Sequence, residues 1–309
     1  MSDNWVALFP GQGKLTQDFL EVLQHRNTFI EIYECACHYN NIDYFKELAR
    51  GNLNNLQDNK YYAGLLTMTN LAALNWVREQ DINITNFCGY SIGQYSAIYA
   101  AGALSLEELF KLVLIRSELM TECLENIQTG MISVIGVELD QLKLCLKELN
   151  KNLSQPLVIS NYNCHGNYTV AGNIDAIEKF NDVIHDYSPR KVVELDVVGA
   201  WHSYFLKDAG NKFQQALDKT CFLKPIEDVV DNVTGEFLPV DVATCKKQLE
   251  AHIYSPVQWQ KSIQYLYDCG CSHYLELGFG KTLTTFNFFI NRELITKPIS
   301  LPDQVNNIH

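Results

Sequence analysis

The stretch Gly89-Tyr90-Ser91-Ile92-Gly93-Gln94 lies between an apolar run, Ile82 to Cys88, and a run of helix formers, Ile92 to Ala101. Its reading as strand, sharp turn and helix sets the fold class as α/β. Gly-x-Ser-x-Gly puts a serine between two residues without side chains, which suits a turn that lifts the hydroxyl at the start of a helix. Glycines also mark ordinary turns. The pentapeptide therefore leaves open whether Ser91 is a nucleophile or only a small residue in a tight bend.

Working outward, Trp5 to Phe9 is an apolar run closed by Pro10-Gly11 and reads as a short buried strand. Tyr61 to Arg78 is rich in Leu and Ala, free of Pro, and reads as a buried helix. Ser105 followed by Glu108 fits a capping box at the start of a helix reaching about Cys123. From Gly130 the texture changes. Met131–Val137 reads as a strand, Leu139–Leu149 as a helix, Pro156–Asn161 and Asn167–Gly172 as strands, Ile174–Ile184 as a helix and Arg190–Leu195 as a strand. That β-α-β-β-α-β order is the pattern of a ferredoxin-like unit. We expect it to be a small domain, residues 128–197, inserted into a large hydrolase-like α/β domain made of residues 1–127 and 198–309. Strands near Val229 and Tyr274 complete the large domain, whose mostly parallel sheet should be covered on both faces.

Composition narrows the function classes. The 309 residues are 47% hydrophobic and 19% charged, ordinary for a globular chain, with a net charge of −12. An acidic chain is a poor nucleic-acid binder, since phosphate binding rests on clustered Lys and Arg. No apolar run is long enough to span a bilayer. Met1-Ser2-Asp3-Asn4 opens no signal peptide, so a cytoplasmic location is expected. The ten cysteines include the pairs Cys35/Cys37 and Cys269/Cys271 but no C-x-x-C. Buried free thiols in a reducing compartment are expected, with no metal site. Of the histidines, His25, His38 and His185 fall in polar helical surroundings and His309 is terminal. His202 differs. It lies in the small-residue segment Val197-Val-Gly-Ala-Trp-His-Ser203, a crossover between domains that would face a cleft. Spacing alone leaves catalytic and structural readings of His202 both open.

Several motifs in order resemble one family. They are Phe9-Pro-Gly-Gln-Gly13, Gly89 to Ala97, Ile115-Arg-Ser-Glu-Leu-Met120, Asn161-Tyr-Asn163, Gly199-Ala-Trp-His-Ser203, Asn232-Val-Thr234, Ser255-Pro-Val-Gln-Trp259 and Glu276-Leu-Gly-Phe-Gly-Lys281. Together they resemble the malonyl-CoA:acyl carrier protein transacylases, including the acyltransferases that serve polyketide synthases. The resemblance implies that Ser91 attacks the thioester of an acyl-CoA and that His202 is the base, oriented by the backbone carbonyl of His252. It implies an oxyanion hole from the N–H groups of Gln12 and Ile92, and Arg116 as the clamp for a malonyl carboxylate. A substrate site including Tyr90, Trp201, Asn161 and His252 follows from the same resemblance, as does Trp201 favouring malonyl over methylmalonyl. No cofactor is implied. The partners implied are acyl-CoA and an acyl carrier protein. Since carrier proteins are usually acidic and this chain is too, a local basic patch near the cleft, including Arg190, Lys191 or Lys212, is expected to receive it.

Departures from the pattern are Tyr90 for His, Gln94 for Glu, His252 for Gln, Phe279 for Pro and His165 in a turn where Pro is common. They lean the expectation toward a free-standing acyltransferase of a polyketide pathway. Tyr90, beside the nucleophile, is expected to reshape the acyl pocket. Three other readings stand beside this one: an acyl hydrolase that clears stalled groups from carrier proteins, an inactive scaffold that docks a carrier protein, and a generic α/β-hydrolase esterase. Arg116 speaks against the first, the survival of Ser91, His202 and Gln12 against the second. The third needs an acid between serine and histidine in chain order and leaves the Gln12 and Arg116 motifs unexplained.

Overall fold

The computed structural model describes residues 4–80, 82–195, 199–239 and 241–308. The first three residues, the expected domain boundary at 197/198 and His309 lie outside the described residues. Among the described residues the strands are β1 (Trp5–Phe9), β2 (Ile84–Gly89), β3 (Thr129–Ile135), β4 (Val158–Cys164), β5 (Asn167–Asn173), β6 (Lys191–Glu194), β7 (Asp228–Val230), β8 (His273–Leu277) and β9 (Ile295–Ile299).

Five strands form one parallel sheet in the order β7-β2-β1-β8-β9. The central strand β1 has no polar residue because both of its faces are covered. Its alternate side chains enter two different apolar clusters. Val6 and Leu8 meet Trp259, Ile263 and Tyr274. Ala7 and Phe9 meet the cluster that contains Leu71 and Leu74 of the Asn59–Arg78 helix. That helix is buried nearly all round, as its run of Leu and Ala requires.

The other four strands form an antiparallel sheet in the order β4-β5-β3-β6. Ile132, Val134 and Val170 turn one face of it onto Leu142, Ile177 and Phe180 of the Leu139–Asn150 and Ile174–Ile184 helices. This is the ferredoxin-like unit that the β-α-β-β-α-β order implied. Its edge strand β4 is stitched to the larger part: Tyr162 N–H donates to the Val257 carbonyl and Val257 N–H to the Ser160 carbonyl, each at 2.9 Å.

One strand was not anticipated, and one expectation needs amendment. Sequence pattern did not reveal β9, Ile-Thr-Lys-Pro-Ile, because Pro298 argues against a strand; it is tolerated at the sheet edge, where no neighbour needs its missing N–H. The ten cysteines are all free, but only Cys88, Cys145, Cys164 and Cys245 are buried, and Cys221 and Cys269 are exposed.

The tightest packing in the fold lies where β1 and β2 end. A Cβ placed on Gly93 would come 2.0 Å from the Phe9 carbonyl oxygen and 2.9 Å from that of Pro10. One on Gly89 would come 2.1 Å from the Gly93 carbonyl group. These are backbone atoms that cannot swing aside. Gly93→Ala should cost more than about 3 kcal/mol, the upper end for overpacking. The check is urea denaturation of Gly93→Ala beside Gly13→Ala, whose added Cβ meets nothing. Only the first should lose its native midpoint.

Candidate active site

Three adjacent strands of the parallel sheet, β1, β2 and the edge strand β7, each deliver one part of the site just past their carboxyl ends, where such sheets place ligands. After β1 comes Gln12, after β2 Ser91, after β7 Asn232. Ser91 sits at φ +52°, in the left-handed region that a serine adopts only when its surroundings enforce it. Asn232 is part of that enforcement. Its Oδ1 accepts from the Ser91 N–H at 2.8 Å, and its Nδ2 donates to the Gly89 carbonyl and, at 2.7 Å, to Gln94 Oε1. Both Asn232 and Gln94 are fully buried.

His202 reaches the elbow from the crossover that follows the antiparallel sheet. It too is held at positive φ, +56°. The Ala200 N–H donates to Thr129 Oγ1 at 3.0 Å and Ser203 Oγ to the Ala200 carbonyl at 2.5 Å, which ties the turn down. His202 Nε2 lies 2.6 Å from Ser91 Oγ, and Nδ1 lies 3.0 Å from the His252 carbonyl oxygen. A carbonyl can only accept, so Nδ1 carries the proton and Nε2 presents a lone pair to the serine hydroxyl. Burial, and secondarily the charge of Arg116, push the His202 pKa down to about 3, so the ring is neutral and able to accept a proton.

Ser91 opens into a cleft bounded by Gln12, Ile92, Arg116, Met120 and Trp201, with Asn59, Ala63 and Leu66 of the long helix behind. Arg116 and Met120 are four apart on the Leu106–Leu124 helix and so share its inner face. Trp201 lies close over Gly199, where an added Cβ would come 3.1 Å from the indole. Arg116 is 4% exposed, yet among the described residues no carboxylate pairs with it. Its Nε and Nη2 have no hydrogen-bond partner. These two atoms form one edge of the guanidinium fork, the edge that takes a carboxylate with two parallel bonds. The Gln12 and Ile92 N–H groups are likewise without an acceptor among the described residues.

Of the residues singled out in the sequence, Ser91, Ile92, Gln12, Arg116 and Trp201 thus share one cleft, with His202 and the His252 carbonyl behind the serine. Tyr90 and Asn161 are not in its wall. The turn that raises Ser91 sends Tyr90 to the opposite face of the sheet, against Trp259 and Phe286 at ring-centroid distances of 5.7 Å and 6.0 Å. There the Tyr90 hydroxyl donates to Asn163 Oδ1 at 2.6 Å and accepts from Asn161 Nδ2 at 2.8 Å. Tyr90 therefore fastens the elbow to β4 instead of shaping the pocket. Asn232 is the residue whose part here was missed. Its motif was visible, but its partners are more than 130 residues away in sequence. Among the described residues no cluster of His, Cys, Asp or Glu could hold a metal, and no helix is long and apolar enough to cross a membrane.

Fold and site together define an α/β protein with a serine–histidine pair at a strand-to-helix elbow. The family model for the acyl transferase domain matches residues 48–286. The malonyl CoA-acyl carrier protein transacylase of Bacillus subtilis is 30% identical over 243 residues, 78% of this chain and 75% of that one. That of Staphylococcus aureus is 28% identical over 293 residues, 93% of this chain and 92% of that one. The crystal structure of malonyl-CoA:acyl carrier protein transacylase (FabD) from Xanthomonas oryzae superposes with a TM-score of 0.92 at 26% identity, covering 99% of this chain and 98% of that one. A type II PKS acyl-carrier protein in complex with its malonyl-transacylase shares the fold at the same TM-score, 0.92, and 22% identity, covering 99% of each chain. The chain belongs to the malonyl-CoA:acyl carrier protein transacylase family and is an acyltransferase.

Asn232→Ala would leave the Ser91 N–H, the Gly89 carbonyl and the Gln94 amide oxygen without the partner they now share. At about 1–3 kcal/mol for each buried group left unpaired, the expected loss is at least about 3 kcal/mol. It should be read from the urea midpoint at an unchanged denaturant slope.

Proposed function

We propose that the enzyme transfers a malonyl group from malonyl-CoA to the phosphopantetheine thiol of an acyl carrier protein through an acyl-serine intermediate. The observation that carries this reading is Arg116, a buried guanidinium with one fork edge unpartnered, in the same cleft as Ser91. A buried charge without a partner is expensive, and a substrate carboxylate is what would complete it.

The chemistry runs in two matched halves. Ser91 Oγ attacks the thioester carbonyl as His202 Nε2 takes its proton. The tetrahedral oxyanion is held by the Gln12 and Ile92 N–H groups, and collapse expels the CoA sulfur, which receives the proton from His202. The carrier thiol then attacks the acyl-Ser91 ester. His202 takes the thiol proton and returns it to Ser91 Oγ as the ester breaks. Throughout, the His252 carbonyl keeps the proton on Nδ1. The Trp201 ring fills the space beside the acyl α-carbon, which favours malonyl over branched analogues. An acyl hydrolase acting on uncharged groups would gain nothing from a buried arginine, so transfer is favoured over hydrolysis.

For the carrier protein, we propose one from polyketide assembly. The departures at Gln94, His252 and Phe279 from the family's usual residues support this. Docking is assigned to the exposed Arg190 and Lys191, which line a groove with His165, Phe286 and Phe289. Lys212 is exposed but does not line that groove. The groove gives an acidic carrier a local positive target on a chain of net charge −12.

Two experiments test the proposal. Intact-protein mass spectrometry after brief mixing with malonyl-, acetyl- and methylmalonyl-CoA should show a malonyl adduct that is absent in Ser91→Ala. The adduct should persist in buffer and discharge onto a holo carrier protein, faster onto a polyketide one than a fatty-acid one. In Arg116→Ala the preference for malonyl should collapse. An adduct cleared rapidly by water, or formed only from uncharged acyl groups, would overturn the reading. Separately, Arg190→Glu with Lys191→Glu should raise the KM for carrier protein at least about tenfold at low salt while leaving the KM for malonyl-CoA unchanged.

A further inference from the structure

Arg116 does more in this geometry than face a substrate. Its guanidinium carbon lies 5.5 Å from the centre of the Tyr95 ring, Tyr95 lies 6.0 Å from the His252 ring, and His252 lies 5.1 Å from the ring of His202. All four side chains are buried, with Tyr95 and His252 at 0% exposure. Neither His252 ring nitrogen has a hydrogen-bond partner, and the Tyr95 phenol set against the guanidinium is kept neutral by burial, so no negative charge along this line answers Arg116. Surroundings of this kind transmit a charge strongly. The groups that face His202 are the Ser91 hydroxyl, the His252 ring and carbonyl, the Ser255 backbone and, from the Leu106–Leu124 helix, Arg116. Of these, Arg116 alone bears a charge.

Resting on the carboxylate-clamp reading above, we propose that the substrate's own carboxylate activates the base: by neutralising Arg116 it strengthens His202, so that the serine–histidine pair reaches working strength only while a carboxylated acyl group fills the cleft. In the empty site the uncompensated positive charge discourages His202 from accepting a second positive charge. When malonyl pairs with the Nε–Nη2 edge, the net charge facing His202 falls to zero and proton transfer from Ser91 Oγ to Nε2 becomes easier. The carboxylate stays on Arg116 in the acyl-enzyme, so the base remains strengthened for the attack of the carrier thiol. Discharge bares Arg116 again. An uncharged acyl-CoA that enters the cleft meets the weaker base, and selection for malonyl falls on the chemical step as well as on binding. The pKa directions agree: burial is the larger cause that holds His202 low, and the Arg116 charge is the next, against an opposing push from the His252 and Ser255 carbonyls. Linkage makes the effect reciprocal, so a proton on His202 must tighten carboxylate binding by the same factor.

The test is an NMR pH titration of histidine-labelled full-length Ser91→Ala enzyme, which binds acyl-CoA without turning over. The His202 signal is identified by its loss in His202→Ala. In the empty protein, His202 should stay neutral down to the lowest pH at which the fold survives. Saturating malonyl-CoA should raise its titration midpoint by about one pH unit or more, a tenfold gain in proton affinity, and acetyl-CoA should not. In the Arg116→Gln background the midpoint should be high already and insensitive to malonyl-CoA. In Arg116→Lys, which keeps the charge without the fork, it should stay low when empty. A His202 midpoint that is the same in Arg116→Gln and its parent, or that does not move when malonyl-CoA saturates the protein, overturns the coupling. Failure of the clamp reading looks different: malonyl-CoA and acetyl-CoA would bind equally well, with affinities that Arg116→Gln leaves unchanged.

Discussion

The close approach of Gly93 to the end of β1 is the constraint from which the rest of the site follows. Two adjacent parallel strands end side by side, and the chain leaving β2 must turn against the carbonyls of Phe9 and Pro10. That contact leaves no room for a Cβ at residues 89 and 93, and it forces Ser91 into the left-handed region. The same contact fixes where the following helix begins, and therefore where the free Ile92 N–H points. Gln12 leaves the neighbouring strand at the same edge. The spacing of the two proposed oxyanion donors is thus set by the distance between paired strands, about 4.8 Å, before any side chain is considered. A serine elbow of this kind is a backbone device first and a side-chain device second.

What the backbone places, the buried side chains then leave unfinished. The site holds Ser91 and His202 at strained φ values, at a typical cost of about 1–3 kcal/mol each. It also buries a guanidinium edge and an imidazole that lack hydrogen-bond partners. A core selected only for stability would have paired or replaced them. Their concentration around one cleft, with the two-sided apolar core of the parallel sheet beneath, is the physical mark of a place prepared for a ligand. The neutral state of His202 belongs to the same economy: burial that would be costly for a charged imidazole keeps the ring in its accepting form.

Local chemistry made much of this legible. The strand–turn–helix reading of residues 82–101 gave the elbow, and the alternation between residues 130 and 195 gave the ferredoxin-like unit, because both depend on patterns within some 70 residues. Ser91 and His202 stood in small-residue settings that made them candidates, but local pattern left their roles open; those roles, and that of Arg116 on its helix, came from the ordered motifs that resemble the family. Other parts depend on contacts that no local window contains. The Asn232 brace joins residues 89, 91 and 94 across the sheet. Strand β9 carries Pro298, which local pattern counts against a strand, and only its place at the edge makes the proline harmless. Half-buried thiols such as Cys35 and Cys37 lie on a helix whose inner face takes Ala36, a register that composition does not reveal.

Tyr90 shows most plainly how neighbours in sequence can act on different sides of a structure. It adjoins the nucleophile, so the usual His replaced by Tyr reads naturally as a change in the acyl pocket. Yet a turn this tight sends successive side chains to opposite faces of the sheet, and Ile92 and Tyr90 enter different apolar clusters. On its own face Tyr90 meets two asparagines of β4, and a phenol can donate to one while accepting from the other. The strand it fastens also pairs with Val257, and the next residue's N–H donates to the Asn232 carbonyl at 2.8 Å. The antiparallel sheet is therefore tied to the elbow by two routes, through Tyr90 and through the residue that braces Ser91. By this geometry, variation at position 90 alters how firmly the two sheets are joined beneath the serine. On the function proposed here, choice among acyl groups falls instead to side chains that do line the cleft, Arg116, Met120 and Trp201.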